Sequence, residues 1–378
     1  MSAVGSALII GGGIGGLTAA TALRQQGIAV DLVELQHEWT VYGVGIIQPN
    51  NTLRALAQIG VADACVDEGF AFPGWRICDT EDNLLIDEPG SNAADPRYPP
   101  VNGIRRIALH NILLDAAQRH GARTMLGRTA TIETQDDSGV DVSFSDGSSG
   151  RYDVVIGCDG VNSATRQALF PEAPAPRFVG QAVFRYTLPR PPEIDRGHMF
   201  FGRTSKAGLV PMSSTLMYML LNASADETFL PPETLADEMR SRLAEYGGTI
   251  GRLRELIVDP DAVVYRPMTS MILAEPWWKR RTILIGDAAH PPTPHLAQGA
   301  AMAIEDAVLL AELLGRESSL EVVFRTFMSR RFNRAKYIVD SSAQISTWEL
   351  EDWAGIHNPD ARPGELFNEG NATMMQAY

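Results

Sequence analysis

The chain opens with apolar and glycine-rich segments that predict a strand, a turn and a helix. Residues 6–10 form a short apolar run, a glycine-rich stretch follows at 11–16, and an Ala/Leu-rich segment continues to Gly27. A second apolar run at 29–35 contains Glu34 near its end. Two buried strands joined by a helix in this way are typical of a parallel sheet.

Two later segments repeat the pattern of a strand that leads into a turn. An apolar run at 152–157 leads into a Cys-Asp-Gly turn, and a helix is predicted to follow. Nearer the end, the run 282–285 leads into Gly286 and Asp287, and residues 299–314 have the pattern of a helix with small residues in its first turn. These segments predict further strands of the same buried sheet.

Between these segments the pattern changes to short alternating runs. The segment 72–99 contains a hairpin-like pattern, and 176–267 alternates apolar runs with turn residues, as an antiparallel sheet would. Helical periodicity returns from residue 320, whereas the residues after 348 are uninformative. A packed tail, a dimer contact and a frayed terminus all remain open for that last part.

The first glycine-rich turn has the form of a dinucleotide-binding fingerprint. Gly11 permits the tight turn, Gly13 lets the backbone approach a pyrophosphate, and Gly16 lets helix and strand pack closely. Glu34 comes 23 positions after Gly11 and is suited to hydrogen-bond the 2′-OH of an unphosphorylated ribose. The alternative is a glycine-rich turn without a ligand. The predicted nucleotide-binding residues here are Gly11, Gly13, Ile14, Gly15, Gly16 and Glu34.

The fingerprint alone does not distinguish FAD from NAD, and the two later segments favour FAD. An acid at a strand end, here Asp287, can hydrogen-bond the hydroxyls of a ribityl chain. A helix that opens at Gly299 directs its positive dipole end at the group before it, which for a flavin would be the N1/C2 edge. Taken alone, Asp287 is equally well interpreted as a cap or turn residue, and Asp159 with Arg166 as a capped helix with an ion pair.

The order and spacing of these motifs resemble the single-component flavoprotein aromatic hydroxylases from residue 5 to about residue 340. The resemblance implies that the first motif binds the ADP half of FAD and that Arg106 lies near the FAD. It implies that the middle motif serves both FAD and a transiently bound NAD(P)H, through Asp159, Gly160 and Arg166. It places the late motif at the ribityl chain and the isoalloxazine, through Gly286, Asp287, Pro294, Gln298, Gly299 and Ala300. Ala301 departs from the Asn that many relatives carry there.

The resemblance also implies a reaction and a substrate. NAD(P)H would reduce the flavin, O2 would form a C4a-hydroperoxide, and that group would hydroxylate a small phenolic or N-heterocyclic ring. The catalytic candidates are Tyr218 and Pro294, and the substrate-binding candidates are Gln48, Arg185, Lys206 and Tyr218. Tyr218 is equally well explained as an ordinary sheet residue. For Lys206 we expect surface exposure rather than a role in the site.

The composition of the chain limits the kinds of binding partner that we expect. A net charge of −14 disfavours nucleic acid, and no apolar run approaches the length of a membrane span. The three cysteines lack metal-binding spacing and suit reduced thiols in the cytoplasm, and no metal site is predicted. We expect a monomer or a homodimer whose partners are a small aromatic substrate and O2.

The motif positions predict an α/β fold with a discontinuous Rossmann-like FAD-binding domain, an inserted antiparallel-sheet substrate domain and a C-terminal helix. The FAD-binding domain is assigned to 1–72, 100–175 and 268–340. The substrate domain is assigned to 73–99 and 176–267, and the C-terminal helix and tail to 341–378.

Two other functions fit the same motifs. The fold could act on a larger polycyclic or polyketide substrate, or carry out a Baeyer-Villiger insertion. The protein could instead be a non-catalytic flavin-binding redox sensor. Substrate-stimulated oxidation of NAD(P)H separates the sensor from both enzymes, because a sensor shows none.

Overall fold

The computed structural model describes residues 4–41 and 43–378. Its strands are β1 Ser6–Ile10, β2 Ala29–Glu34, β3 Gly45–Pro49, β4 Phe70–Phe72, β5 Gly74–Cys78, β6 Leu84–Pro89, β7 Val101–Arg105, β8 Arg123–Leu126, β9 Ala130–Gln135, β10 Val140–Phe144, β11 Ser149–Tyr152, β12 Val154–Gly157, β13 Arg177–Pro189, β14 Gly197–Phe201, β15 Ser205–Pro211, β16 Leu216–Ser224, β17 Val264–Ser270, β18 Trp278–Lys279 and β19 Thr282–Leu284. Its helices are α1 Ile14–Gln25, α2 Asn50–Gln58, α3 Ala62–Glu68, α4 Arg106–Arg119, α5 Ala164–Leu169, α6 Leu235–Arg242, α7 Gly248–Arg254, α8 Gly299–Arg316, α9 Leu320–Trp353 and α10 Pro363–Met375.

A six-stranded sheet in the order β18-β19-β12-β1-β2-β8 carries the three motif segments. Strands β8, β2, β1, β12 and β19 pair in parallel, so their carboxyl ends meet at one edge. The predicted strand at 152–157 is in fact two elements, because Tyr152 closes β11 of a separate three-stranded sheet and Val154 begins β12. Helices α1 and α8 pack together beside the parallel sheet in the largest core cluster of the described residues.

A seven-stranded sheet in the order β17-β13-β16-β15-β14-β5-β6 forms the second layer. Its pairs are antiparallel except that β14 lies parallel to β5, and the β5–β6 hairpin confirms the pattern seen in the sequence. One face of this sheet packs against α6 and α7 through an apolar cluster that includes Phe184, Met219 and Leu243. The opposite face is turned toward the edge of the parallel sheet, where the motifs lie.

A small sheet in the order β3-β7-β4 joins the two large ones. Strand β7 approaches β15 so closely that a Cβ at Gly103 would lie 1.9 Å from the carbonyl oxygen of Pro211. Only glycine allows this approach, which brings β3 against the face of the seven-stranded sheet that is opposite α6 and α7.

The C-terminal part is helical and packed. Helix α9 runs without interruption across residue 340, so the domain division proposed there falls inside a helix. Helix α10 packs on α9 and α2, so the end of the chain is packed rather than frayed. No helix among the described residues has the length and apolar character needed to cross a membrane. The α/β architecture with an antiparallel sheet agrees with the fold class predicted from the sequence.

Candidate functional site

The glycines of the first motif are required by close backbone contacts. Gly11 has a φ of 106°, and a Cβ there would lie 2.5 Å from the carbonyl oxygen of Cys158. A Cβ at Gly16 would lie 1.9 Å from the carbonyl oxygen of Gly11. Gly13 differs from both, because a Cβ there would have no neighbour within 4 Å. The turn is therefore tight on its inner side and open at Gly13.

The open side of this turn is suited to an anion. Gly13 is the N-cap of α1, and neither a side-chain cap nor an acidic residue in the first turn occupies the helix end, which begins with Ile14 and Gly15. Free backbone N–H groups and the positive end of the helix dipole therefore face open space. This arrangement fits the pyrophosphate of FAD.

Glu34 lies at the end of β2, beside the turn. Its carboxylate accepts hydrogen bonds from the backbone N–H groups of Gly12 at 2.8 Å and Gln36 at 3.0 Å. A Cβ at Gly12 would lie 2.6 Å from the ring of Trp39, so Trp39 covers this corner of the site. Trp39 in turn lies 5.2 Å, centroid to centroid, from the ring of His110 in α4. Neither of these two rings had been identified from the sequence, which offers no pattern linking them.

The late motif presents an acid that has no hydrogen-bond partner among the residues that the structure describes. Gly286 has a φ of 59° and turns the chain at the end of β19. Asp287 follows and makes no hydrogen bond within the described chain. Asp287 is exposed at the open groove, but the surrounding protein removes part of its hydration and raises its pKa, and His290 and Arg106 partly offset this. A ligand hydroxyl would supply the missing hydrogen bond, as the ribityl chain of FAD would.

A buried cluster of charges holds that turn in place. Asp306 of α8 accepts the backbone N–H of Gly286 at 2.9 Å and lies 2.7 Å from Nε2 of His290. Arg331 of α9 donates to Asp306 at 2.6 Å and to Glu305 at 2.7 Å. The side chains of Glu305, Asp306 and Arg331, which we call the charged triad, are fully buried. Burial raises the pKa of Asp306, but Arg331 and His290 outweigh it and hold the pKa at about 2.

This triad was not predicted from the sequence. A signal existed, since two consecutive acids stand in the apolar first half of α8 and an arginine-rich stretch follows in α9. Fully buried charges of this kind are expected only when paired.

The start of α8 provides a second free helix end. Ala297 adopts a left-handed φ of 54° just before the helix, and no acidic residue occupies the first turn, which begins with Gly299 and Ala300. The side chain of Gln298 points inward, exchanging hydrogen bonds of 3.1 and 3.3 Å with Asn51. Gln298 thus offers its backbone rather than its amide group to the site. Pro294 is exposed in the short 3-10 turn Pro294–Leu296 that precedes this helix.

The segment 43–45 links this flavin side to the seven-stranded sheet. A Cβ at Gly43 would lie 3.2 Å from Cδ of Arg106, whose backbone N–H donates to the carbonyl of Val44 at 3.2 Å. A Cβ at Gly45 would lie 2.5 Å from the ring of Tyr218. Arg106 is also close enough to Asp287 to affect its pKa. The structure therefore brings Arg106, Asp287 and Tyr218 around one strand end.

The middle motif makes mainly structural contacts. Asp159 accepts the hydroxyl of Ser163 at 2.5 Å and the backbone N–H of Thr165 at 2.9 Å, which caps α5. Arg166 is buried and donates to the carbonyls of Ala288 at 2.9 Å and Val161 at 2.8 Å. The capping interpretation of Asp159 is thus the one its contacts favour, and Arg166 ties the middle motif to the late one.

Gly160 stands between these contacts with a φ of 78° and open space at its Cβ position. The two motifs therefore meet across β12 and β19, which are neighbours in the sheet. A role for the middle motif in binding NAD(P)H stays a prediction.

Tyr218 and Arg185 lie on the face of the seven-stranded sheet that is opposite α6 and α7. Tyr218 is opposite Thr187, and Arg185 is opposite Leu220, so the two side chains share a face one step apart. Burial raises the pKa of Tyr218 to about 12, although Arg185 lowers it. Neither side chain has a hydrogen bond or an ion pair with any described residue. A phenol and a guanidinium are thus held side by side, and the part of the chain that the structure describes gives neither a polar partner.

The expectation that Lys206 is surface-exposed is wrong. Its side chain is buried, with 8% of the residue exposed, and its ammonium group pairs with the carboxylate of Glu349 in α9. Glu349 also lies 3.2 Å from Nε2 of His295, which is 3.0 Å from the amide oxygen of Gln181. Burial raises the pKa of Glu349, but Lys206 and His295 outweigh it and hold the pKa at about 2. The sequence did not indicate this because the two partners are 143 residues apart.

Gln48 is not brought to this face. Its side-chain oxygen accepts a hydrogen bond of 2.8 Å from the amide of Asn102 on β7. Its neighbour Ile47 points the other way, because successive side chains of a strand alternate. Gln48 therefore stabilises the small connecting sheet. No group of residues in the described chain has the arrangement of a metal site.

Comparison with known proteins assigns the family. A family model described as the FAD binding domain matches residues 5–342, a range that contains all three motif segments. The chain belongs to the FAD-dependent aromatic hydroxylase family. FAD is therefore its cofactor, and the free helix ends at Gly13 and Gln298 and the unpaired Asp287 fit that group.

Several relatives match the chain over nearly its full length. The protein YetM of Bacillus subtilis is 30% identical over 374 residues, which are 98% of this chain and 99% of YetM. Aurachin C monooxygenase/isomerase of Stigmatella aurantiaca is 30% identical over 347 residues, 90% of each chain. The 2-heptyl-3-hydroxy-4(1H)-quinolone synthase of Pseudomonas aeruginosa is 29% identical over 353 residues, again 90% of each chain.

Solved structures show the same fold. HpxO of Klebsiella pneumoniae, in complex with FAD and uric acid, superposes with a TM-score of 0.84 at 23% identity, covering 98% of this chain and 96% of HpxO. The 2-methyl-3-hydroxypyridine-5-carboxylic acid oxygenase superposes with a TM-score of 0.78 at 22% identity, covering 97% of both chains. The α/β fold predicted from the sequence is thereby confirmed.

Proposed function

We propose that this enzyme hydroxylates a small phenolic or N-heterocyclic ring, using NAD(P)H as the electron donor and O2 as the oxygen source. One oxygen atom enters the ring C–H bond to give C–OH, and the other leaves as water. NAD(P)H supplies the two electrons and, with one proton from solvent, is converted to NAD(P)+. Bound FAD supplies the chemistry that passes these electrons to O2.

The observation that carries this proposal is the pair formed by Arg185 and Tyr218. Burial lowers the pKa of Arg185, and Arg106 nearby lowers it further, whereas Tyr218 acts in the opposite direction. An anionic oxygen bound beside this guanidinium would therefore be stabilised strongly. With its pKa raised to about 12, Tyr218 is protonated near neutral pH and can donate a hydrogen bond to the same oxygen. An ionised ring hydroxyl is the ligand that uses both groups.

This pairing assigns Tyr218 a role as a positioning donor rather than as a base. Its side chain packs with Val210 and Met212 in an apolar cluster, which keeps water away from the ring oxygen. Arg185 would hold the substrate in its ionised, electron-rich form. We propose Pro294, exposed in the turn before α8, as the residue that bounds the ring-binding space on the flavin side.

The residues that would hold FAD follow from the site geometry. The open turn at Gly13 and the N-terminus of α1 would bind the pyrophosphate, and Glu34 the adenosine ribose. Asp287 would bind the ribityl chain. The free N-terminus of α8, at Gly299 and Ala300, would lie at the isoalloxazine edge that gains negative charge on reduction.

We propose that NAD(P)H binds transiently, without a fingerprint of its own. No second G-x-G-x-x-G follows a strand in the sequence. The candidates for this transient site are Asp159, Gly160 and Arg166. Because Asp159 and Arg166 also hold the fold together, a defect in reduction must be measured on variants that retain FAD.

The names of three relatives support a ring substrate. They are 3-hydroxybenzoate 6-hydroxylase, 6-hydroxynicotinate 3-monooxygenase and FAD-dependent urate hydroxylase. Each name refers to a ring compound with an ionisable oxygen or nitrogen. We also propose that the enzyme acts in the cytoplasm as a monomer or homodimer, where its three cysteines, which form no disulfide, remain reduced.

The test is a screen of phenols and N-heterocycles for accelerated oxidation of NADH and NADPH by the FAD-loaded protein. At least one ring compound is expected to accelerate the reaction and to yield a hydroxylated product. If no compound accelerates it, and the background rate is the same with FAD-loaded and heat-denatured protein, the proposed function is wrong.

A further inference from the structure

A cavity of about 410 Å³ lies between the small connecting sheet, the β5–β6 hairpin and α10. Its inner lining includes Ile47, Trp75, Val101, Leu296, Ala297 and Phe367. Small-molecule sites in proteins span roughly 300–1,000 Å³, so this cavity has the size of a ligand site. Its lining does not include Gly13, Asp287 or Tyr218. The cavity therefore extends beyond the groove built by the FAD motifs and borders the late motif at Leu296 and Ala297.

The lining selects for an apolar, uncharged ligand. Most of the lining side chains are aliphatic, aromatic or proline. Glu88 is the one ionisable residue among them, and Asn368 and Asn371 of α10 add two amides. An uncharged hydrocarbon group gains from burial here, whereas an ion would lose hydration without an opposite charge to replace it.

The cavity adjoins the proposed ring-binding face. Val101 belongs to the same apolar cluster as Tyr218 and Met212, and Trp75 packs against that cluster. At the opposite wall, Ala297 immediately precedes Gln298 and the free end of α8. A group attached to a ring held by Tyr218 would therefore be directed toward this cavity along the apolar cluster.

Helix α10 forms a fixed wall of the cavity. Arg54 donates to the carbonyls of Met375 and Gln376, both at 3.0 Å. Arg334 donates to the carbonyls of Thr373 at 3.0 Å and Met374 at 2.8 Å. These bonds satisfy carbonyls at the C-terminal end of the helix, which would otherwise need water.

The same arginines connect the wall to the flavin side. Arg334 pairs with Glu305 at 2.8 Å, and Glu305 accepts a hydrogen bond of 3.1 Å from Asn51, the partner of Gln298. The wall is thus held by the charge cluster that also holds the Gly286 turn. A wall anchored in this way indicates a built cavity rather than a loose surface crevice.

We propose that this cavity binds an apolar, uncharged chain attached to the aromatic substrate, and that α10 determines how long a chain is accepted. The inference rests on the proposed function, since it is the ring at Arg185 and Tyr218 that directs the chain. It deepens that function by naming a ring with an alkyl-type substituent as the substrate class.

The test is calorimetric titration of the FAD-loaded protein with 4-hydroxyquinolines that carry a 2-methyl, 2-pentyl or 2-heptyl group. Each methylene buried in the cavity is expected to tighten binding about fourfold. The variant Ala372→Trp fills the cavity from α10 and should abolish this gain while leaving the affinity for the methyl compound within about threefold of wild type. Glu369→Trp places the same bulk on α10 outside the lining and should preserve the gain.

The outcomes separate this inference from the proposed function. Affinities that do not rise with chain length, or a rise that survives Ala372→Trp, overturn the cavity assignment, and so does the absence of binding by all three compounds. The proposed function is measured separately, as NADH oxidation stimulated by the ring compounds of the screen. Chain-dependent binding that Ala372→Trp abolishes supports the cavity assignment even if that oxidation is absent.

Discussion

The edge of the parallel sheet and the face of the seven-stranded sheet build their halves of the site differently. At the parallel edge, backbone atoms form the site, so Gly11 and Gly16 are fixed by contacts of 2.5 and 1.9 Å that any Cβ would make. On the seven-stranded sheet, side chains such as Arg185 and Tyr218 would form the proposed ring-binding half on an ordinary antiparallel ladder. The first half therefore tolerates little change without loss of the fold, whereas the second can change its ligand and keep the fold.

The charged side chains of the two regions also differ in whether they have an ion-pair partner. Asp306 and Arg331 near the parallel edge are fully buried and paired, and they serve the structure. Arg185 has no ion-pair partner in the described chain, and it is available to a ligand. Paired buried charges thus indicate support, and an unpaired one indicates binding.

The largest expected effect comes from Asp306→Ala. Removing this carboxylate leaves His290 without its partner and Arg331 paired with Glu305 alone, and it frees the Gly286 turn, so the free energy of unfolding should fall by about 3–5 kcal/mol and FAD should be lost. Asp340→Ala is the matched control, because its exposed pair with Lys336 is worth about 0.2–1 kcal/mol at most. Urea unfolding measures both, and equal losses would show that the triad does not support the site.

A smaller effect is expected from Asp287→Ala, which removes a ligand contact without disturbing the fold. Loss of a charged hydrogen bond of about 1.5–3 kcal/mol should weaken FAD binding roughly ten- to a hundredfold. Asp136→Ala is the control, since Asp136 is exposed and bonds Ser138 and Arg151 in a distant hairpin. Flavin absorbance after gel filtration gives the occupancy, and equal occupancy in the two variants would remove Asp287 from the site.

On the sheet face, Tyr218→Phe should leave FAD content and unfolding unchanged. A poorly positioned ring should lower product formation about ten- to a hundredfold, with more NAD(P)H ending as hydrogen peroxide. The product formed per NAD(P)H oxidised measures this directly. If yield and turnover both match wild type, Tyr218 is an ordinary sheet residue.

The smallest effect concerns pH and distinguishes a donor from a base. With a pKa raised from 10 to about 12, Tyr218 loses its proton only as the pH rises through that range. The ratio of wild-type to Tyr218→Phe turnover should therefore be constant between about pH 6 and pH 9. A ratio that rises steadily with pH in that interval would instead assign Tyr218 as a base.

The sequence predicted the parallel edge well because its signals are local. A strand, a glycine turn and a helix follow one another within residues 6–27, so Gly11, Gly13 and Gly16 could be assigned from spacing alone. The positions of side chains on the seven-stranded sheet depend instead on partners that are far away in the sequence. Lys206 was predicted to be a surface residue, whereas in the structure it is buried and pairs with Glu349.

Contacts between residues distant in the sequence also explain the other differences between the predicted and the observed structure. The strand predicted at 152–157 is divided because Tyr152 pairs with Val140 in another sheet, a contact that periodicity does not reveal. Helix α10 had no recognisable signal because its position depends on carbonyl bonds to Arg54 and Arg334, far away in the sequence. Local backbone requirements were predictable, whereas long-range polar pairing was not.

The most direct test of the account is the source of the oxygen in the product. The FAD-loaded enzyme would be supplied with NAD(P)H, oxygen-18 gas and the ring compound that most accelerates NAD(P)H loss in the screen, and the product would be analysed by mass spectrometry. We predict that one oxygen-18 atom enters each hydroxylated ring. A product whose new oxygen comes from water, or an unchanged ring with all the consumed oxygen recovered as hydrogen peroxide, would contradict a monooxygenase.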